Sequence, residues 1–281
     1  MTASAIGQLA HPFYEVFAWV LAAAYQFIPN YAIAIAILTI VVMIVAFPIT
    51  LRGTRGMLKM QALAPEMKRL QAKYKAAPGL GTAERNDLRQ RQQEELVALY
   101  KENGVSPIGG CLPLVIQMPI FLILYQTIRG LIHTVNGKPM PLYVSHASRL
   151  YAAVVNAHGH LDAFGINLAN SVRTPGSIVA KLPIVVMILV AVALQYVQMK
   201  QLSGRNPQAG QANPQMQQMQ KIFPVFFALI YISIPAGVNV YFIVSSIFRI
   251  CQQELMYRHD PHIRSALERL RGRTDPGLSP G

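Results

Sequence analysis

Ten polar side chains stand inside runs that are otherwise apolar: Thr39, Gln117, Gln126, Thr127, Gln195, Gln198, Asn239, Ser245, Ser246 and the cation Arg249. Nowhere in the chain are a nucleophile, a base and an orienting acid grouped, so the set does not read as a covalent active site and no enzymatic activity is expected. What amides and hydroxyls do in apolar surroundings is hydrogen-bond, because an unpaired polar group there is costly. They either pair helix to helix or face a wet cavity within the protein. Both readings stand at this point. His158-Gly159-His160 offers two imidazoles without further ligands, which is too few for a metal site. No G-x-x-x-x-G-K-[ST] loop occurs, so neither nucleotide nor any other cofactor is expected.

The runs that carry these residues are long. Of 281 residues, 53% are hydrophobic and 13% charged, about half the charged fraction of a soluble domain. A spanning helix takes ~20 residues at ~1.5 Å each. On that measure five transmembrane helices are predicted, over 31–50, 109–132, 181–199, 216–234 and 235–257. Pro235-Ala236-Gly237 makes the tight turn between the last two. Pro113, Pro119 and Pro224 remove backbone donors within spans and favour bent helices. Between Phe13 and Ile28 the apolar positions Phe13, Val16, Phe17, Val20, Leu21 and Ala24 recur at helical spacing. Residues 1–30 are therefore read as a tail and an amphipathic helix in the membrane interface, anchored by Trp19 and Tyr25, with an extra spanning helix as the alternative. Residues 1–10 hold no Lys or Arg, so no signal-peptide n-region is expected. Cys111 and Cys251 lie far apart and imply no disulfide framework.

Charge sets the orientation. The net charge is +13, and 20 of the 25 basic residues fall in 51–108, around 200–221, and from Arg249 to the end. With five spans these regions share one side, which the positive-inside rule places in the cytoplasm. Residues 1–30 and the loop 133–180 are then extracytoplasmic, while 200–215 is a cytoplasmic loop and 258–281 a basic cytoplasmic tail. Segment 51–108 reads as a helical hairpin. Met60, Leu63, Met67, Leu70 and Tyr74 form a heptad-like seam, Pro65 opens a new helix, 77–82 turns, and the second arm runs from about Glu84 to Glu102.

Several ordered motifs carry a family resemblance. Asn103-Gly104-Val105-Ser106-Pro107-Ile108-Gly109-Gly110-Cys111-Leu112-Pro113-Leu114-Val115-Ile116-Gln117-Met118-Pro119-Ile120-Phe121 resembles the start of the second core span of YidC-type membrane protein insertases. Phe47-Pro48 followed by Met60-Gln61-Ala62-Leu63-Ala64-Pro65-Glu66-Met67 is similar to their first span and hairpin. Phe223-Pro224, Pro235-Ala236-Gly237, Val240-Tyr241-Phe242-Ile243-Val244-Ser245-Ser246 and Gln252-Gln253 match their last two spans. The resemblance covers about residues 12–258 and fits the compact form, without a large periplasmic domain, that is related to mitochondrial and chloroplast insertases.

It implies an all-α membrane protein of the bacterial cytoplasmic membrane, with five helices around a polar groove open to the cytoplasm and to lipid and closed on the outside. Gln117, Gln126, Thr127, Gln195, Asn239, Ser245, Ser246 and Arg249 are then candidate groove-lining and client-binding residues. Met57, Met60 and Met67 are the candidate client-capture surface of the hairpin. The implied partners are nascent membrane proteins and membrane lipids, with the Sec translocon, and with the ribosome through the basic tail by family analogy; direct DNA binding is not implied. One position departs from the family pattern: five residues before Pro48, where members commonly carry Arg, this chain has Met43. Met43 lies ~11 residues into the first span and Arg249 ~12 into the last, both past the middle of a ~30 Å core, so Arg249 is a candidate to supply the missing charge, with snorkelling to the headgroups as the alternative. The competing functions are a small-solute transporter or channel and an assembly chaperone that moves no segment.

Overall fold

The computed structural model describes residues 2–74, 81–104, 112–204, 222 and 226–259. Eight helices run through them: α1 Thr2–Phe27, α2 Tyr31–Ala62, α3 Ala64–Lys73, α4 Thr82–Glu102, α5 Leu112–Leu131, α6 Arg149–Asn156, α7 Ile178–Gly204 and α8 Ala236–His259. Residues 226–233 form a further helical stretch just before α8. Two compact units result. One comprises Met1–Ala46, Val115–Gln198 and Ile222–Ile250; the other comprises Phe47–Leu114, Met199–Lys221 and Cys251–Gly281.

In the first unit, helix starts follow from short polar side chains. The Asn30 carboxamide oxygen accepts from the Ala32 and Ile33 amides at 3.0 and 3.2 Å and so caps α2. The Ser148 hydroxyl does the same for α6, accepting from Tyr151 N at 3.1 Å. Along α2 the buried residues Ala34, Ile35, Leu38, Thr39 and Met43 recur at steps of three and four, while Ile40, Val41, Ile44 and Val45 on the other face are exposed. Helix α7 is more extreme: Ile184, Ile188 and Ala191 form a narrow buried stripe, and Leu182, Val185, Val186, Leu189 and Val190 face outward. A helix that is apolar all round suits a large protein core or a membrane span. Tyr31–Gly56 and Ile178–Gln201 are both long and apolar enough to cross a membrane, and Val115–Leu131 is a shorter apolar helix.

The segment between α5 and α7, expected only as a loop, is a small structured region. Two antiparallel hairpins, β1 Thr134–Val135 with β2 Lys138–Pro139 and β3 Asp162–Ala163 with β4 Ile166–Asn167, flank α6. Their turns, Asn136-Gly137 and Phe164-Gly165, both hold two residues at positive φ (52° and 78°; 52° and 76°), the geometry that matches strand twist in two-residue hairpins. His158-Gly159-His160 is the stop of α6: Gly159 N donates to Val154 O at 2.9 Å, with His158 and Gly159 in the left-handed region. Leu150, Leu161 and Leu168 are buried, and α6 packs on α1, whose Ala18, Leu21 and Ala24 are buried. Helix α1 begins well before the expected Phe13. It keeps Phe13, Val16, Trp19 and Phe27 outward.

This region is tied directly to the last helix. Ala236 N donates to Asn170 O at 2.8 Å and Gly237 N to Leu168 O at 2.9 Å. These bonds satisfy amides that a helix start otherwise leaves unpaired. At Gly237 the packing is tight: a Cβ there would meet Ile35 Cδ1 at 3.2 Å, Leu168 O at 3.4 Å and Ile128 Cδ1 at 3.5 Å.

In the second unit, the chain turns at Leu63 and α3 starts with Pro65 in its first turn. The Glu84 carboxylate accepts from Gly81 N at 3.2 Å at the head of α4, and Gly104, with φ 61°, follows its end. Helices α3 and α4 pack through Leu63, Met67 and Tyr100, with Leu96 and Leu99 partly buried against them.

Gly237→Val is expected to destabilise the protein by about 1–3 kcal/mol through overpacking, read as a lowered unfolding temperature in detergent. Gly56→Ala, where a Cβ meets nothing within 4 Å, is expected to leave that temperature unchanged or raised, since Ala favours a helix interior.

Candidate functional site

Six of the expected polar side chains of the first unit lie inside. Thr39, Gln117, Thr127, Asn239, Ser245 and Ser246 are all buried. Three of them are satisfied by their own helix: Thr39 Oγ1 donates to Ile35 O at 2.6 Å, Thr127 Oγ1 to Ile123 O at 2.9 Å and Ser245 Oγ to Phe242 O at 3.1 Å. Such back-bonding leaves no demand for water. The amides differ. Gln117 Nε2 donates to the Tyr241 hydroxyl, joining α5 to α8, but among the described residues Gln117 Oε1 has no partner. Asn239 Nδ2 donates to Tyr231 O at 3.3 Å, and neither Asn239 Oδ1 nor the buried Tyr231 hydroxyl has a partner among the described residues.

Tyr231 and Tyr241 were not among the residues expected from the sequence. The signal was present: aromatic residues with a polar tip are favoured at membrane interfaces, and these two stand within apolar runs. An aromatic cluster holds them. Phe242 lies 4.9 Å from Tyr231, 5.2 Å from Tyr241 and 5.5 Å from Phe121, and Phe227 lies 5.9 Å from Tyr231.

Arg249 is half-buried on α8. Tyr241, Ser245, Arg249 and Gln252 follow one another by four, four and three residues, which puts them on one face of the helix. Among the described residues no carboxylate pairs with Arg249. The remaining expected residues lie elsewhere in the exposure range: Gln126 is exposed, and Gln195 and Gln198 are half-buried. Met43, at the position where the resemblance leads one to expect Arg, is buried.

The interior therefore changes along α8. At its start Ala236 and Val238 are fully buried and Gly237 lies against Ile35, Ile128 and Leu168; Asn239 follows at once, and farther along come Tyr241, Ser245, Ser246 and Arg249. An apolar plug at one end gives way to hydrogen-bonding groups.

In the second unit Gln252 Nε2 donates to Thr50 Oγ1 at 2.8 Å, joining α8 to the later part of α2. Within the hairpin, Met67 is not a surface residue. It is buried, and the Tyr100 hydroxyl points to its sulfur at 3.7 Å; the side chains of Met57 and Met60 fall outside the described set. Across the hairpin, Lys73 Nζ and the Tyr74 hydroxyl both donate to Glu95 Oε1 at 2.6 Å. Those two hydrogen bonds hold the Glu95 carboxyl below its usual range, and Glu95 in turn raises the Lys73 and Tyr74 values.

Known proteins match most of this chain. The family model described as 60Kd inner membrane protein matches residues 23–262. The protein named membrane protein insertase YidC from Chlorobium limicola is 32% identical over 250 residues, covering 87% of this chain and 36% of that protein. The proteins of the same name from Streptomyces avermitilis and Bifidobacterium longum are each 31% identical, over 239 and 231 residues, covering 82% and 79% of this chain and 52% and 64% of theirs. The chain thus spans from about a third to just under two thirds of the length of these relatives.

The Glu95 arrangement carries a pH signature. Because the folded carboxyl titrates below its usual value, its contribution to the hairpin is full above that value and is lost as pH falls through the lowered one. In the ¹³C-labelled protein the Glu95 carboxyl is expected to titrate below the ordinary carboxylate range, and the Lys73→Met, Tyr74→Phe double variant to return it there.

Proposed function

The chain belongs to the 60Kd inner membrane protein family of YidC-type insertases, and we propose that it inserts membrane proteins into the bacterial cytoplasmic membrane without nucleotide hydrolysis. The single observation that supports this most is the pairing of lipid-compatible outer faces on α2 and α7 with three buried polar atoms, Gln117 Oε1, Asn239 Oδ1 and the Tyr231 hydroxyl, that have no partner among the described residues. A bundle that only had to be stable would close those polar atoms on one another.

Transfer costs give the mechanism. An Asp, Lys or Arg at the bilayer centre costs roughly 2.5–3.5 kcal/mol on the insertion scale. A hydrophilic tail with two such charges meets a barrier of several kcal/mol. A polar groove bounded by five spans, open to the cytoplasm and to lipid, shortens the apolar distance the tail crosses. The client's hydrophobic segment then moves into lipid, and its burial drives the step. Gln117, Asn239, Ser245, Ser246 and Arg249 line that path, along with Tyr231 and Tyr241. The apolar layer at Val238, Ile35, Ile128 and Leu168 closes it on the outside.

The hairpin α3–α4 stands on the cytoplasmic side and receives clients. With Met67 in its core, capture falls to its outer surface. The N-terminus and the hairpin-rich segment between α5 and α7 are extracytoplasmic. The C-terminal tail is cytoplasmic, where it meets the ribosome, and the Sec translocon is a further partner.

Reconstituted into vesicles without nucleotide, the chain is expected to insert a single-span client bearing a short hydrophilic tail. Solute uptake with no insertion would instead support a transporter. In a background with Cys111→Ser and Cys251→Ser, cysteines placed at Ser145 and Ser171 are expected to react with an impermeant thiol reagent outside intact cells, and one at Ala83 is not. Labelling of Ala83 from outside would overturn the orientation.

A further inference from the structure

The outward face of α5 changes character along its length. Val115, Met118, Leu122, Gln126 and Arg129 follow one another at steps of three, four, four and three residues, and all five are exposed. The opposite face, with Gln117, Leu124, Thr127 and Ile128, is buried. The exposed stripe is therefore apolar over its first part and polar over its last two residues. Packing inside the bundle accounts for neither Gln126 nor Arg129, because neither side chain is inside.

Arg129 is the sharper case. An Arg in a membrane span ordinarily faces the bundle interior or a water-filled cavity, since lipid exposure is costly. The usual relief on a lipid face is to snorkel to the headgroups. Here the side chain leans the other way. Arg129 Nη1 donates to the Tyr125 hydroxyl at 3.4 Å, and the guanidinium lies over the Tyr125 ring, 5.6 Å from its centre. Tyr125 is one turn nearer the start of α5, so the charge is drawn toward the middle of the bilayer. With 20 residues, α5 is ~30 Å long, the thickness of the hydrocarbon core. Arg129 stands two residues before the end of α5, which puts its guanidinium, a turn back, ~8 Å inside that core. Among the described residues no carboxylate pairs with it.

The pose is also supported from below. The Phe121 and Tyr125 rings lie 5.9 Å apart, and Phe121 lies 5.5 Å from Phe242 of α8, so the platform under the guanidinium is anchored in the bundle. The Tyr125 oxygen accepts from Arg129 and keeps its own proton to give. A planar cation and a phenolic donor thus stand beside the exposed Gln126, at the end of an apolar stripe. A fork of N–H donors matches a phosphate. The order of groups, apolar and then cationic, is that of an acyl chain and its phosphate. A phosphate ion from solution gains nothing from the stripe, and a zwitterionic lipid brings an ammonium that competes with the guanidinium.

We infer that Tyr125, Gln126 and Arg129 form a headgroup site for one anionic phospholipid of the extracytoplasmic leaflet, with its phosphate on the guanidinium and a chain along Leu122, Met118 and Val115. This rests on the reading of α5 as a span that ends on the extracytoplasmic side at Leu131. The site lies on the outside of the bundle, apart from the client path, and the lipid supplies the counter-charge for Arg129.

The test uses the full chain in phosphatidylcholine vesicles. Trp19, the only tryptophan in the sequence, is changed to Phe, and Leu122→Trp, or in a second protein Met118→Trp, puts a fluorescent reporter on the stripe. Dibrominated phosphatidylglycerol and dibrominated phosphatidylcholine are each mixed in over the same range of fractions, and quenching gives their relative affinity for the stripe. Phosphatidylglycerol is expected to be preferred about tenfold, the scale of one hydrogen bond to a charged group. Arg129→Gln is expected to remove the preference while both lipids still quench the reporter. Tyr125→Phe is expected to reduce it about threefold, the scale of a neutral hydrogen bond. Excess inorganic phosphate is expected to leave it unchanged. Equal quenching by the two lipids, a preference that survives Arg129→Gln, or one abolished by inorganic phosphate would overturn the site and leave the insertase reading intact. Reporters quenched by neither lipid would overturn the site together with the reading of α5 as a span.

Discussion

The first amides of α8 have to find acceptors inside the bundle, and the carbonyls of Leu168 and Asn170 supply them. In the packed interior there is no water to do it, and a buried unpaired peptide group is costly. Much follows from these two bonds. They require the segment after α6 to fold back over the end of the bundle, which it does through the β3–β4 hairpin and the buried Leu161 and Leu168. Asn167 keeps that return in place, its carboxamide oxygen accepting from Leu161 N at 3.2 Å and Ala169 N at 3.0 Å. They also seat Gly237 against Ile35 and Ile128, where no side chain fits. Once the head of α8 is fixed, so is the register of every polar residue farther along it.

That register gives the interior its two characters. Near the head of α8 the buried residues are apolar and closely packed. Past Val238 the same helix presents Asn239, Tyr241, Ser245, Ser246 and Arg249, and Gln117 of α5 reaches across to Tyr241. Within the proposed function the first region is a barrier and the second a path. The distinction is energetic. Hydroxyls bonded to their own helix, such as Thr39, Thr127 and Ser245, are indifferent to what enters, whereas Gln117, Asn239 and Tyr231 each keep an atom unpaired. Those three are where a passing polar segment gains most.

Much of this was legible in the sequence. The long apolar runs specify helices by themselves, and the Pro65 helix start is a local signal that the structure uses directly; the Asn30 cap is a local signal that went unread. The small hairpins between α5 and α7 were also written locally, in Asn136-Gly137 and Phe164-Gly165, but strands of two residues are too short for any periodicity to reveal. Facing is what one-dimensional reading does worst in a membrane protein, because an apolar residue suits both lipid and core. Hence Gln126 and Thr127, adjacent in sequence, part company: one exposed, one buried. Met67 carried two readings, one in the heptad-like seam of the hairpin and one as a soft surface; it packs with Leu63 and Tyr100, as the seam requires. Tyr231 carried a weaker signal, a polar-tipped aromatic within an apolar run, but that its hydroxyl is buried without a partner among the described residues depends on tertiary position.

The central claim is that the interior of the bundle is reached by water from the cytoplasmic side and sealed at the other end. Single cysteines at Ser245 and Val238, in the chain without native cysteines, test it by their rates of reaction with a small charged thiol reagent applied to inside-out vesicles. Ser245 is predicted to react and Val238 to stay unreactive from either face. A protected Ser245, or a Val238 that reacts from the extracytoplasmic face, would contradict the account.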